Sequence, residues 1–210
     1  MRGSKKAVTA GLLLLSILIS GSIAAKNAPV QLSADTIQYN NNLKLVQATG
    51  NVVITQEATT LTGATAEYRQ DTNLAVVSGG IVLTNDTIRL TGATVEYDTA
   101  TGVGAVNGQP RMEDKEGAWL TGEKIDFFTD EDRAIVTGGV HIVHPGRQID
   151  AVADHATYYG KDRKVLLTGN ARAIQEGNTL TGDTLTVYLS DKTMNAQGNT
   201  KLIIIPNEKK

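Results

Sequence analysis

The chain has no cysteine, one tryptophan, two phenylalanines and four prolines among its 210 residues. Without cysteine there is no disulfide framework, no thiol chemistry and no lipid-modified cysteine behind a leader segment. Three histidines leave little for metal ligation, and His141 and His144, three apart on a strand, point to opposite faces. Beyond residue 25 the sequence also lacks a sustained 3.6-residue apolar stripe, an apolar run of membrane-spanning length and a Gly-x-Ser-x-Gly elbow. Nor does any glycine cluster open a helix, as phosphate-cradling loops require. These absences argue against helical bundles, serine hydrolases and nucleotide-using enzymes. The expectation is a protein with no catalytic residue, no metal and no cofactor.

The N-terminus is different in character. Arg2, Lys5 and Lys6 form a basic start, Leu12 to Ile19 is almost wholly apolar, and Ser20, Gly21, Ser22, Ala24 and Ala25 follow. That order predicts a secretory signal peptide over residues 1–25, cleaved after Ala24 or Ala25. The alternative is an uncleaved anchor from Ala7 to Ala25, just long enough for one span. Either way residues 26–210 are delivered outside the cytoplasm, as a single domain. With the three N-terminal cations removed, 17 Lys and Arg face 22 Asp and Glu, a net charge of −5. A mildly acidic body offers nucleic acid no electrostatic hold.

What the sequence does have is a repeat. Leu-Thr-Gly recurs at 61–63, 90–92, 120–122 and 180–182, with degenerate copies at 32–34 and 151–153. Sixteen residues after each third position stands a glycine: Gly50, Gly79, Gly108, Gly138, Gly169 and Gly198, at steps of 29, 29, 30, 31 and 29. Ahead of each turn, Ile37, Ala66, Val95, Ile125, Ala156 and Leu185 alternate through one polar residue with Tyr39, Tyr68, Tyr97, Phe127, Tyr158 and Val187. Period-two alternation is the mark of a strand with one buried face. After the turn the chain returns as a second strand that the glycine interrupts, predicting a bend or bulge there. Glu67, Glu96 and Asp126 recur as an outward ladder, a solvated face. Asp35, Glu123, Asp154 and Asp183 sit where strand-start turns favour acids. Each unit is therefore a pair of bent antiparallel strands that cannot bury its face alone.

In this register, residues 48–56, 137–143 and 167–173, together with the opening strand Pro29–Asp35, resemble the Thr-Gly-Asn-Val strands of the LptA/OstA-like family of lipopolysaccharide-transport proteins. The likeness covers nearly all of residues 30–205. It implies an all-β fold: an open, twisted β-jelly-roll, solenoid-like and V-shaped in cross-section, with about 12–16 mostly antiparallel strands from six 29–31-residue repeats. It implies a carrier of lipopolysaccharide between the inner and outer membranes, with lipid A chains in an apolar groove. Its partners would be an LptC-like protein at the N-terminal edge, an LptD-like protein at the C-terminal edge and further copies head to tail. Lipid-facing positions carried over from the family are Val30 and Leu32 near the first strand and Met112 and Phe127 midway; a family aliphatic position two beyond Phe127 is Thr129 here. The repeat register adds Ile54, Leu83, Ile125 and Ile142 as inward residues. Shielding matters physically, because each exposed methylene costs about 0.8 kcal/mol and a twelve-carbon chain on the order of 10 kcal/mol. Competing readings are an LptC-like anchored member of the same fold family and a structural β-solenoid.

Overall fold

A computed structural model describes residues 28–189 and 193–206. The predicted signal peptide lies outside the described residues. The described residues form sixteen strands: β1 (Gln31–Ser33), β2 (Thr36–Asn40), β3 (Leu45–Gln56), β4 (Thr59–Arg69), β5 (Leu74–Thr84), β6 (Ile88–Asp98), β7 (Val103–Asn107), β8 (Arg111–Asp114), β9 (Trp119–Thr121), β10 (Lys124–Phe128), β11 (Arg133–His144), β12 (Ile149–Tyr159), β13 (Lys164–Gln175), β14 (Asn178–Tyr188), β15 (Met194–Gln197) and β16 (Lys201–Ile203). Every pairing is antiparallel between near neighbours in sequence, so the sheet order follows the chain. The predicted antiparallel repeat architecture is the one observed.

The ladders are interrupted where the repeat glycines fall. In β3 the ladder to β4 slips between Thr49 and Val52, across Gly50 and Asn51, whose φ angles are +79° and +47°. Glycine adopts that left-handed conformation without the penalty a Cβ brings, and asparagine is the next most tolerant residue. Equivalent slips interrupt the β5–β6, β11–β12 and β13–β14 ladders. In the third copy Gly108 and Gln109, both at positive φ, precede Pro110, and the strand breaks outright into β7 and β8. Proline contributes no N–H to a ladder, but the sixth copy breaks at the same place without one, at Gly198 and Asn199 between β15 and β16.

The bends line up and crease the sheet into two walls. Half-strands on one side of the crease join β2, β7, β10 and β15 as the first wall. The other halves join β1, β8, β9 and β16 as the second. Side chains facing inward between the walls make the core, with Val46, Ala48, Val52, Ile54, Leu61 and Val77 among its buried members. The alternation is literal in β3, whose positions 46, 48, 52, 54 and 56 are buried while 47, 49 and 51 are exposed.

The candidate lipid channel between the two walls

The second wall carries an uninterrupted inward row, one residue per strand, set by the ladder register. It runs Leu32, Ile54, Leu61, Leu83, Leu90, Met112, Leu120, Ile142, Ala151, Ala173, Leu180 and Leu202. At the usual strand spacing this apolar stripe is about 50 Å long. Five of the predicted site residues, Leu32, Ile54, Leu83, Met112 and Ile142, fall on this one line. Ile125 and Phe127 face them from the first wall, and Val30, just ahead of β1, packs against the same cluster. All eight predicted positions are thus inward.

The first wall is built of alternating large and small residues. Tyr39, Val46, Tyr68, Ala75, Tyr97, Gly104, Phe127, Ala134 and Tyr158 pair across successive strands. Gly104 is required by its neighbour, since a Cβ there would run into the Phe127 ring and the Glu96 carbonyl. Phe127 is fully buried and its ring lies 5.8 Å from that of Tyr97, interplanar angle 24°. Thr129 bonds outside the channel, its hydroxyl donating to the Gly102 carbonyl at 3.0 Å.

Along its length the interior is not uniform. Ile54, Leu83, Ile125 and Phe127 are at most 2 % exposed, so the walls meet in the N-terminal and middle repeats. Val30, Leu32, Met112 and Ile142 are only partly buried. At the C-terminal end the walls part around an open cavity of about 470 Å³, lined by Ala173, Leu180, Met194, Ala196 and Leu202, with Gln175 and Glu176 at its polar side. Ala173, one of the residues lining it, stands where the second copy has Leu83. Burial raises the Tyr158 phenol above its ordinary value, as expected for a hydroxyl half-enclosed by the first wall.

The two ends expose apolar surface on unpaired edges. Ile37 and Tyr39 of β2, expected to be inward, are 47 % and 50 % exposed: among the described residues β2 pairs only with β3, and its other edge is uncovered. Leu202, Ile203, Ile204 and Ile205 are exposed at the other end. A terminal strand with free backbone groups and apolar side chains is a template for strand addition.

The acids past the third repeat position have a different job from the strand-start role expected of them. Asn51 Nδ2 donates to Asp35 Oδ1 and Oδ2 at 3.2 and 3.0 Å, Asn170 to Asp154 at 2.9 Å, and Asn199 to Asp183 at 3.2 and 3.1 Å. These pairs, sixteen apart, clasp the crease. An Asp with an Asn at that separation, three times over, is a sequence signal that could have revealed them. The outward Glu67 and Asp126 are ion-paired with Arg69 and Lys124, both at 2.7 Å, as befits a solvated face. His141 faces outward against Trp119 and Asp150, and His144 faces inward at the end of β11. Among the described residues no group of three or more His, Asp or Glu is placed to hold a metal ion.

No curated protein matches the chain. Among solved structures, the chain is similar to LptH of Pseudomonas aeruginosa, described as the LptA-homologous periplasmic component of the lipopolysaccharide transport device. The two share 20 % identity over 85 % of this chain and 96 % of that one, with a TM-score of 0.28. The family model for "LptA/(LptD N-terminal domain) LPS transport protein" matches residues 31–193, more than three quarters of the chain. Carrying that match over a creased, two-walled antiparallel sheet with an apolar lining, the chain belongs to the LptA/LptD N-terminal domain family of lipopolysaccharide transport proteins.

Proposed function

We propose that residues 26–210 act in the periplasm as a lipopolysaccharide carrier, exported by a signal peptide cleaved near Ala24 or Ala25, in which lipid A acyl chains lie between the two walls. The observation that carries this reading is the inward row from Leu32 to Leu202, apolar on every strand and open at its C-terminal end. Such a stripe binds alkyl chains by area alone, at about 25 cal/mol per Å² removed from water, and similar neighbouring sites allow sliding. Direction must come from an energy source elsewhere, because the sequence holds no nucleotide-binding motif.

Both ends of the sheet fit a bridge. The apolar edge at β2 suits an LptC-like partner, the edge at β15 and β16 an LptD-like partner, and copies of this chain could join one to the other head to tail by strand addition. The carrier reading is tested by placing a photo-reactive amino acid at Val30, Leu32, Met112, Phe127 or Ala173 and irradiating with lipopolysaccharide. Adducts at these positions, with none at the outward Glu67 and Glu96, are expected. Equal labelling inside and out, or none in folded protein, would leave a closed structural solenoid as the better description.

A further inference from the structure

One side chain spans the open side of the V. Arg147 lies in the 3₁₀ turn Pro145–Arg147 that joins β11 to β12 at the outer rim of the second wall. Its Nη2 donates at 2.8 Å to the carbonyl of Leu189, which follows β14 on the rim of the first wall. Leu189 is itself held by its N–H donating to the Arg163 carbonyl at 2.8 Å. Among the described residues no other side-chain hydrogen bond joins the two rims, and Arg147 makes no ion pair.

The same corner contains two polar atoms with nothing to bond. Arg147 Nη1 and His144 Nδ1 are both shut off from solvent and without a partner. The His144 ring lies beside Gly146, the residue before Arg147. Leaving such groups unsatisfied is unfavourable, more so when the group is charged. A neutral carbonyl occupies one donor of a guanidinium fork that is shaped for two oxygens of an anion. The turn is also tied to the cavity: the Glu176 N–H donates to the Gln148 carbonyl at 3.3 Å, and Glu176 is on the cavity margin.

We propose that Arg147 and His144 form a phosphate-binding site on the seam, and that the Leu189 carbonyl is the placeholder which the phosphate displaces. The ligand is a phosphate monoester, whose three terminal oxygens can serve both guanidinium nitrogens and the imidazole together. Carried on a lipid whose chains occupy the adjoining cavity, it would sit at the boundary between apolar interior and water. Displacement would release the bond that ties the rims, while the clasped crease on the opposite side keeps the walls joined. The inference rests on the carrier reading above.

The test uses the exported chain, the variants Arg147→Gln and Arg147→Lys, and three probes: bisphosphorylated lipid A, the same lipid with both phosphates removed, and inorganic phosphate. Arg147→Gln should lose about tenfold or more in affinity for the phosphorylated lipid and nothing for the dephosphorylated one. Arg147→Lys, which keeps charge without the fork, should fall between. Competition by inorganic phosphate in the parent protein assigns the site to phosphate as such. Its absence, with the same selective loss, assigns it to phosphate borne on the lipid. Because the chain has no cysteine, spin labels at introduced Lys161→Cys and Arg172→Cys report wall separation directly. That distance should lengthen on adding phosphorylated lipid and should already be longer in Arg147→Gln. Parent-like affinity for both lipids in Arg147→Gln and Arg147→Lys would overturn the phosphate site. Failure of the parent to bind either lipid would instead overturn the carrier reading. A variant that does not fold is replaced by His144→Phe, for which the same selective loss is required.

Discussion

Asn170 donates through Nδ2 to Asp154 at 2.9 Å across the crease, and a Cβ on the intervening Gly169 would collide with that same carboxylate. The corner is therefore a three-residue unit. Its composition varies along the chain: Asp35, Asp154 and Asp183 face Asn51, Asn170 and Asn199, whereas Ala64 goes with Gly80, Ala93 with Gln109 and Glu123 with Gly139. Removing one partner at a time should cost about 0.5–1.5 kcal/mol for Asp154→Ala. The double variant Asp154→Ala/Asn170→Gly, which copies the second repeat, should cost less than the two single changes summed. Denaturant midpoints for the four proteins measure that coupling, and strict additivity would mean the clasp contributes nothing as a pair.

Gly169→Ala tests the conformation as well as the space. Gly169 has φ +74°, and an added methyl has nowhere to go except into Asp154. A loss of about 1–3 kcal/mol is expected from strain and displacement of the carboxylate. Gly146→Ala, where the nearest heavy atom is 3.6 Å from an added Cβ and φ is not in the left-handed region, should cost far less. Thermal melts of both variants give the comparison.

Phe127 is the largest fully buried side chain in the fold, between Tyr97 and Gly104. Phe127→Ala should destabilise by about 3–5 kcal/mol through lost contact and the cavity left behind. Ala173→Leu acts in the opposite sense. It adds bulk beside the cavity rather than in a packed layer, so stability should fall by less than about 1–3 kcal/mol while lipid binding weakens. Lipid affinity unchanged in Ala173→Leu would show that the cavity does not receive acyl chains.

The apolar ends give a prediction on assembly. Ile37→Lys or Leu202→Lys places a charge on an exposed terminal strand and should shift sedimentation toward monomer, with the fold intact. Retention of concentration-dependent association in the double variant would direct attention away from the edges.

Stability should fall at both extremes of pH. The Thr101 and Ala100 backbone N–H groups hold the Asp98 carboxyl below its ordinary value, and a hydrogen bond from Arg133 does the same for Glu131. Groups with lowered folded values stabilise at neutral pH and lose that contribution as pH falls below about 4 through those values. Tyr158 has the opposite sign. Its raised phenol contributes fully below about pH 10, and the contribution is lost as pH rises through the folded value. Asp98→Asn should flatten the acid limb and Tyr158→Phe the alkaline limb of a urea-midpoint profile.

Much of the fold was legible without coordinates. Period-two alternation told which side chains of β3 to β14 face inward, and the glycine spacing told where each strand bends, because both depend on the few residues nearest in the chain. Ile54, Leu83, Ile125 and Ile142 followed from that register, whereas Val30, Leu32, Met112 and Phe127 came from the family resemblance. Pro110 was visible as a residue, but the break between β7 and β8 falls where Gly108 and Gln109 both turn left-handed ahead of it. The Asp–Asn clasps were missed because an acid beside a turn has an ordinary local explanation, and only the folded crease brings residues sixteen apart together.

By itself, then, the sequence determined the repeat, the antiparallel strand pairs, the bends and the apolar face, all consequences of short-range alternation and backbone freedom. Tertiary structure decided how far apart the two walls stand. Tyr97 and Phe127 fill the middle, Ala173 lines the open cavity at the C-terminal end, and Arg147 ties one rim to the carbonyl of Leu189, forty-two residues away. That spacing is set by side chains meeting from distant strands, and no local pattern encodes a meeting.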